Sequence, residues 1–137
     1  MYVQRIGVRF DDVDYAQIVY FPRLFGYCHY TFEDFFGRKA GVTYAELLSK
    51  RRVGFPTVHA EADFKAPLRF GDVCRVEMET MKLGKRSLTN RYRLYLGATR
   101  KLCAEISLVH VAMDLDRFQS VDIPRAVRSA FMSHRAR

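Results

Sequence analysis

A group of acidic residues lies directly before the most aromatic segment of the chain. Asp11, Asp12 and Asp14 fall near the start of FDDVDYAQIVYFPRLF (residues 10–25), and an uncharged run then leads to Pro22. A carboxylate held against an apolar pocket can serve as a nucleophile or as a general base. A carboxylate on a surface loop instead accepts hydrogen bonds from nearby backbone N–H groups, in an Asx turn or a helix cap. The residues alone leave both interpretations open.

A helix that begins without a capping side chain is the second feature with chemical potential. Pro22 suits the first turn of a helix, because that position needs no N–H donor. The preceding Tyr20 and Phe21 are not capping residues. The N–H groups near Phe21 and Leu24 therefore lack intrahelical partners and lie at the positive end of the helix dipole. They are candidate donors to a substrate carbonyl oxygen, with Asp14 upstream as nucleophile or base.

The element that would position these groups is a long apolar helix. Its apolar residues recur at spacings of three and four: Leu24, Phe25, Cys28, Phe32, Phe35 and Phe36. Tyr27 and Tyr30 add aromatic groups on other faces, which predicts a helix enclosed by other structure. Thr43 with Glu46 three residues later is a capping box and predicts a short second helix over residues 43–50.

The rest of the chain is strand-like, with a last short helix near Pro124. Period-two alternation or β-type composition marks residues 2–10, 57–64, 74–80, 87–96 and 101–114. Turns at Gly84 and Gly97 suggest an antiparallel meander. The order of elements predicts a single α+β domain over residues 1–137, with a long helix wrapped by an antiparallel sheet.

Composition limits the classes of protein. With 137 residues, 49% of them hydrophobic, the chain can build one domain around one core. No apolar run is long enough to cross a bilayer, and the N-terminus does not resemble a signal peptide. Cys28, Cys74 and Cys103 are odd in number and lie in apolar patterns. We therefore expect free buried thiols in a reducing cytoplasm, and no metal site.

The formal net charge of +8 requires an explanation. The cations are spread from Arg5 to Arg137 rather than clustered, which argues against nucleic acid as a partner. A small phosphate-bearing partner would exploit the same positive field. A basic surface without a dedicated partner is the alternative.

The segment FDDVDYAQIVYFPRLF resembles the signature of the 4-hydroxybenzoyl-CoA thioesterase branch of the hot-dog-fold superfamily. The matching positions are Phe10, Asp12, Asp14, Ala16, Ile18, Val19 and Tyr20. FKAPLRFGD (residues 64–72) is similar to the bend between strands in this family, and KLGKRS (residues 82–87) is similar to its basic turn. In the order and length of its elements, the resemblance covers nearly the whole chain.

The resemblance implies a hot-dog fold, in which a five- or six-stranded antiparallel sheet wraps a long helix. It implies homodimers with a continuous sheet, which often pair into homotetramers, and active sites at the dimer interface. It also implies hydrolysis of acyl-CoA thioesters without metal or cofactor, coenzyme A being part of the substrate. The acidic catalytic residue falls on Asp14 and the oxyanion donor on the N–H of Phe21. The contacts to the coenzyme A phosphates fall on Lys85 and Arg86.

This sequence departs from the family pattern beside the acidic residue. Gln17 stands where the family usually has glycine, and Tyr15 replaces a frequent proline or alanine. Gln17 would narrow the substrate pocket or add a donor to it, and Tyr20 would also contact the substrate.

Of three histidines outside the motif, two have more than one interpretation. His59 lies on the polar face of its strand, with Glu61, and either points toward the site of a neighbouring subunit or is exposed. His29 either positions Asp14 or is a hydrogen-bonded core residue, with the core favoured. His110 lies in an apolar strand and is expected in the core.

The function expected from the sequence is hydrolysis of an acyl- or aryl-CoA thioester by a cytoplasmic enzyme. Asp14 would attack the thioester carbonyl or activate a water, and the sequence leaves this choice open. One alternative is a thioesterase that acts on acyl groups held by an acyl carrier protein. Another is an acyl-thioester binding module without catalysis.

Overall fold

A long central helix packed against a curved antiparallel sheet organises the structure, a computed structural model that describes residues 1–137. The helices are α1 (Phe21–Phe35), α2 (Tyr44–Ser49) and α3 (Arg125–Ser133). The strands are β1 (Tyr2–Gly7), β2 (Val53–Gly54), β3 (Thr57–Phe64), β4 (Val73–Leu83), β5 (Ser87–Leu96), β6 (Lys101–Val111), β7 (Met113–Asp114) and β8 (Gln119–Ser120). The predicted α+β class, with a long helix wrapped by an antiparallel sheet, is confirmed.

The five strands of the main sheet follow the order β1-β4-β5-β6-β3. Only β4, β5 and β6 form a meander, so the prediction of a simple meander was wrong for β3. The connection between β3 and β4 is a loop rather than a tight turn, and the N–H of Val19 donates to the carbonyl of Leu68 within it at 2.8 Å. This loop carries the chain past the start of α1, and β3 pairs with β6 at the far edge of the sheet.

A second, smaller sheet consists of β2, β7 and β8. The predicted long strand over residues 101–114 is divided, because β6 leaves the main sheet after Val111 and β7 joins the small one. The main sheet therefore has five strands.

The central helix is buried on the face that packs against the sheet. Its buried residues are Leu24, Tyr27, Cys28, Thr31, Phe32 and Phe35. Most follow the predicted spacing, but Tyr27 belongs to the buried face and Phe25 is only half-buried, so these two predictions were wrong. Beyond Phe35 the helix continues in a π-helical turn (Phe36–Ala40) and ends at Gly41, whose φ of 72° is left-handed. His29, Tyr30 and Glu33 on the opposite face are exposed. Full enclosure of the helix is thus not observed in the single chain.

The apolar core lies between α1 and the sheet and is closed at one end by α3. Phe131 of α3 stacks on Phe35 of α1 with ring centroids 4.6 Å apart. Burying one such side chain contributes about 1.5–3 kcal/mol to folding. His110 of β6 stacks on Phe32 at 4.3 Å and donates from Nδ1 to the carbonyl of Phe55 at 3.0 Å. Burial lowers the pKa of His110 to about 4, so the imidazole is neutral. Its predicted core position is confirmed.

The three cysteine thiols are buried, as predicted. Burial raises the pKa of Cys74 to about 12 and raises the pKa of Cys28 and Cys103 as well. Because the thiolate is the nucleophilic form, the environment of these residues disfavours cysteine chemistry.

Candidate active site

Asp12 holds together the acidic loop, which comprises residues 10–20 between β1 and α1. One carboxylate oxygen of Asp12, Oδ2, accepts hydrogen bonds from the N–H of Arg9 at 3.0 Å and from the hydroxyl of Tyr27 at 2.7 Å. The carbonyl of Asp12 accepts from the N–H of Tyr20 at 2.9 Å. Asp12 therefore connects both ends of the loop and binds the loop to α1.

Asp14 lies at the exposed part of this loop with its backbone fixed on both sides. Its N–H donates to the carbonyl of Ile18 at 3.0 Å, and its carbonyl accepts from the N–H of Gln17 at 2.9 Å. Oδ1 accepts from the N–H of Ala16 at 2.8 Å, which is an Asx turn. Oδ2 has no donor within the protein. Asp14 thus makes the local contact expected of a turn residue and still presents one oxygen.

Gln17 adopts a left-handed backbone conformation with φ of 65°. An L residue with a side chain pays about 1–2 kcal/mol for this conformation, whereas glycine does not. The glycine of the family pattern at this position therefore has a backbone explanation. In this chain a larger residue accepts the same turn, and its side chain lines the surface beside Asp14.

The first turn of α1 begins as the sequence predicts. Tyr20 stands at the N-cap position in an extended conformation, and no side chain caps the helix. The N–H of Arg23 is satisfied by the carbonyl of Tyr20 at 2.8 Å. The N–H of Phe21 donates to no acceptor in the protein. It is a backbone donor at the positive end of a 15-residue helix, available to an external oxygen.

An apolar cavity of about 650 Å³ opens at this helix end. Seven of its ten lining residues are hydrophobic, and they include Phe21 and Leu24 of α1 and Phe64 of β3. The ring of Phe64 lies 5.8 Å from that of Phe21 and 6.3 Å from that of Phe25. The only charged side chains in the lining are Lys65 and Arg69. An apolar wall with a few polar groups is typical of a small-molecule site.

Asp14 lines a separate depression of about 620 Å³, together with Gln17 and Tyr15. Within one chain, Asp14 and Phe21 therefore do not border one cavity. The residues between them form a tight loop, which an isolated pairing of Val13 with Val19 closes.

Other predicted residues lie away from the helix end. In β3, Ala60, Ala62 and Phe64 pair with buried residues of β6 and face α1. His59 points to the opposite face of the sheet, where its Nε2 lies 2.8 Å from Oε1 of Glu61. His29 is exposed on α1, so the expectation of a core histidine was wrong.

The basic turn lies at the far end of β4 from the start of α1. Lys85 and Arg86 lie just after Leu83, the last residue of β4. The loop that contacts Val19 lies before Val73, the first residue of β4. At about 3.3 Å per residue this strand is roughly 33 Å long. Lys85 and Arg86 both contact Asp122, at 3.9 and 3.0 Å. The two basic residues are not next to Phe21 of the same chain.

Some residues of the site were missed from the sequence. Phe64 was placed on a strand but not at the cavity, and Lys65 and Arg69 were not considered. The hydrogen bond between Tyr27 and Asp12 was also missed. The positions of Phe64, Lys65 and Arg69 depend on the path of the connection from β3 to β4 past the helix. Alternation patterns in the sequence do not specify this path.

The structure contains no group of three or more His, Cys, Asp or Glu side chains arranged to hold a metal ion. No helix is long and apolar enough to span a membrane.

Comparisons with known proteins define the family. A model of the thioesterase-like superfamily matches residues 8–131. The chain is 30% identical over 125 residues to a 1,4-dihydroxy-2-naphthoyl-CoA hydrolase of Synechococcus sp. (strain CC9605), which covers 88% of this chain and 82% of the relative. The structure superposes on a gentisyl-coenzyme A thioesterase with a TM-score of 0.83 and 26% identity, covering 92% of this chain and 98% of the other.

The same fold occurs in a 1,4-dihydroxy-2-naphthoyl-CoA thioesterase from Synechocystis, with a TM-score of 0.88 and 23% identity over 96% of this chain and 95% of the other. The chain has the hot-dog fold and belongs to the thioesterase-like superfamily. It is an enzyme of the thioester hydrolase class. The family resemblance noted in the sequence is confirmed.

Proposed function

We propose that this enzyme hydrolyses an aryl-CoA or related acyl-CoA thioester to the free acid and coenzyme A. The observation that carries the proposal is the unpartnered N–H of Phe21 at the mouth of an apolar cavity. Such a donor stabilises the negative charge that develops on a thioester carbonyl oxygen. The aromatic rings of Phe21, Phe25 and Phe64 favour a flat acyl group. Two relatives are named for the aryl thioesters dihydroxynaphthoyl-CoA and gentisyl-CoA, and these names support an aryl substrate.

In the proposed mechanism, Asp14 acts on the carbonyl carbon while the N–H of Phe21 holds the carbonyl oxygen. The free Oδ2 of Asp14 either attacks the carbon, forming an anhydride that water then cleaves, or takes a proton from the attacking water. Coenzyme A leaves as the thiol in both routes. Neither metal nor cofactor is required, and Gln17 and Tyr20 border the substrate.

We also propose that the working unit contains two chains paired along β3. All residues of β3 except Ala62 are exposed, and β6 occupies only one of its two edges. The strand carries neither proline nor lysine, the residues that commonly protect an open edge. Because Phe64 belongs both to this strand and to the cavity, the second chain would complete the site and bring the Asp14 surface and the cavity into one pocket.

The same pairing gives Lys85 and Arg86 a role. An antiparallel β3–β3 contact reverses the second chain, so its basic turn would approach the α1 end of the first. The ion pairs with Asp122 are exposed, and such pairs contribute little, so these cations can exchange their partner for a phosphate. In this proposal Lys85 and Arg86 bind the phosphates of coenzyme A across the interface, and His59 lies on the outer face of the joined sheet. Pairing of dimers into a tetramer and a cytoplasmic location stay predictions.

The experiment is a measurement of thiol release from three groups of acyl-CoAs: hydroxylated aryl, short aliphatic and long aliphatic. We expect the highest kcat/KM with an aryl group. The same aryl group is also offered on N-acetylcysteamine, which has the thioester but no phosphates, and on an acyl carrier protein.

The substrates distinguish the proposed function from its alternatives. Preference for a long aliphatic chain would contradict the aryl assignment, and turnover of the carrier-protein thioester alone would contradict coenzyme A as the thiol. Binding of a thioester without thiol release from any substrate would contradict hydrolysis by this site.

A further inference from the structure

A single side-chain hydrogen bond connects the acidic loop to the body of α1. The hydroxyl of Tyr27, six residues into the chain beyond Phe21, donates to Oδ2 of Asp12 at 2.7 Å. Tyr27 is 2% exposed, so water has little access to its side chain. Burial and the nearby Asp12 carboxylate raise the pKa of Tyr27, so the phenol stays protonated and acts as donor.

The loop that Asp12 closes holds the proposed reactive group. Asp12 accepts from Tyr20 through its carbonyl, and Val13 pairs with Val19, so the loop is a closed unit. All hydrogen bonds of Asp14 are made inside this unit, to Ala16, Gln17 and Ile18. Those bonds fix the shape of the loop, but they do not fix its orientation relative to the helix.

Besides the packing of Val13 and Val19 against the core, two hydrogen bonds link the loop to separate parts of the structure. The N–H of Val19 binds the carbonyl of Leu68, which holds the loop against the connection between β3 and β4. The Asp12 carboxylate binds Tyr27, which holds it against α1. A hydrogen bond to a carboxylate is stronger than one between neutral groups, and losing it leaves a buried hydroxyl unpaired. Loss of this contact would therefore remove a strong restraint on the orientation of the loop relative to α1.

We propose that Asp12 and Tyr27 form a positioning pair that sets the orientation of the Asp14 carboxylate relative to the Phe21 N–H. This inference rests on the proposed function of Asp14 and Phe21. Neither Asp12 nor Tyr27 touches the substrate. They act through the loop, and the rate of the chemical step is sensitive to such orientation because reacting groups must meet at a defined distance.

The test begins with Tyr27→Phe, which removes the hydroxyl and keeps the buried ring. We expect kcat to fall about 10- to 100-fold, the range that a small misplacement of reacting groups produces, with KM little changed. Tyr30→Phe is the matched control, because Tyr30 lies on the exposed face of the same helix. The same deletion there leaves kcat unchanged. Rates are compared well below the melting temperature of each variant.

A double-mutant cycle shows whether Tyr27 acts through Asp12. Asp12→Ala lowers kcat at least as much as Tyr27→Phe, and adding Tyr27→Phe to it causes no further loss. Asp12→Asn, which keeps an oxygen acceptor for the hydroxyl, restores part of the lost rate. If Asp12→Ala does not fold, Asp12→Leu, which is closer in size to aspartate and also has no acceptor, replaces it in the cycle.

The outcomes separate this inference from the proposed function. If wild type releases thiol and Tyr27→Phe has a lower melting temperature with unchanged kcat, the pair is only structural and the inference is overturned. Independent, multiplicative losses in the double variant would overturn it as well. If wild type cleaves no thioester, the proposed function fails first and the positioning role fails with it.

Discussion

At the scale of the residue, the acids of the opening loop differ in what their oxygens contact. Oδ2 of Asp12 accepts from two donors, one of which lies on α1, whereas Oδ1 of Asp14 accepts from a single N–H within the loop. Each carboxylate leaves its other oxygen without a donor in the protein, and the Asp14 side chain is the one that makes no hydrogen bond outside the loop. The sequence identified Asp14 through a family pattern and left the Asx turn as a competing interpretation. The Asx turn is observed at Oδ1. The catalytic role of Asp14 stays a prediction, and the open Oδ2 is compatible with it because one carboxylate has two oxygens. Which oxygen is held depends on atomic distances that residue types do not encode.

A prediction at this scale concerns the left-handed Gln17. We expect Gln17→Gly to be about 1 kcal/mol more stable to unfolding than Gln17→Ala, because only glycine adopts this φ without steric cost. Urea denaturation of both variants measures the difference.

Ala16→Gly is the control for this comparison, since Ala16 is a neighbour on the same exposed loop without a positive φ. There glycine only adds chain entropy, and a loss of about 0.5–1 kcal/mol is expected relative to wild type. Equal stability of Gln17→Gly and Gln17→Ala would show that the turn imposes no strain.

At the scale of the element, the boundaries of α1 were only partly predictable. Its start followed from Pro22 and the missing cap, and both are observed. The sequence indicates Gly37 and Gly41 as its exit. The helix passes through Gly37 in a π-helical turn and ends at Gly41. Packing of Phe36 in the core sustains this extra turn, and Gly41 supplies the left-handed residue that ends it. A glycine signals a helix end only where its backbone adopts such a conformation.

The same chemical change is expected to have opposite effects in two elements. A Cβ at Gly26 in α1 would meet no atom within 4 Å, so Gly26→Ala should raise the free energy of unfolding by about 0.5–1 kcal/mol. A Cβ at Gly97, in the turn after β5, would lie 2.9 Å from the carbonyl oxygen of Val73. Gly97→Ala should therefore cost about 1–3 kcal/mol. Thermal or urea unfolding measures the change in stability of both variants. Destabilisation by Gly26→Ala would contradict the first expectation and indicate that another chain packs on this face of α1.

At the scale of the whole molecule, the sequence indicated which face of each strand is apolar but not which strands pair with each other. Alternation in residues 57–64 correctly placed a strand, yet it carried no information on whether β4 or β6 would pair with it. The cavity arises from that choice, since β3 and the following loop reach the N-terminus of α1 only when β3 lies at the edge beside β6. The acidic loop and the uncapped start of α1 were therefore predictable, and the aromatic wall formed by Phe64 was not.

The open edge of β3 leads to a prediction on assembly. We expect the enzyme in solution to have at least twice the mass of one chain by light scattering. In an antiparallel pair, the N–H groups of consecutive residues point to opposite edges. Of Ala60→Pro and Glu61→Pro, one therefore blocks the open edge and yields a folded single chain, and the other breaks pairing with β6 and destabilises the fold.

Activity and assembly are linked in this proposal. The folded single-chain variant should lose thiol release, because the second chain completes the pocket. A wild-type enzyme that is a fully active single chain would contradict the interface site.

The most direct measurement for the account as a whole is thiol release by Asp14→Asn on the best aryl-CoA substrate. Asparagine keeps an oxygen for the N–H of Ala16, so the Asx turn and the fold are preserved, while the nucleophile or base is lost. Asp11→Asn, which changes an exposed carboxylate in the same depression, is the matched control. The account predicts that kcat falls by about 10²–10⁴-fold in Asp14→Asn and is unchanged in Asp11→Asn. A folded Asp14→Asn enzyme with wild-type kcat would contradict it.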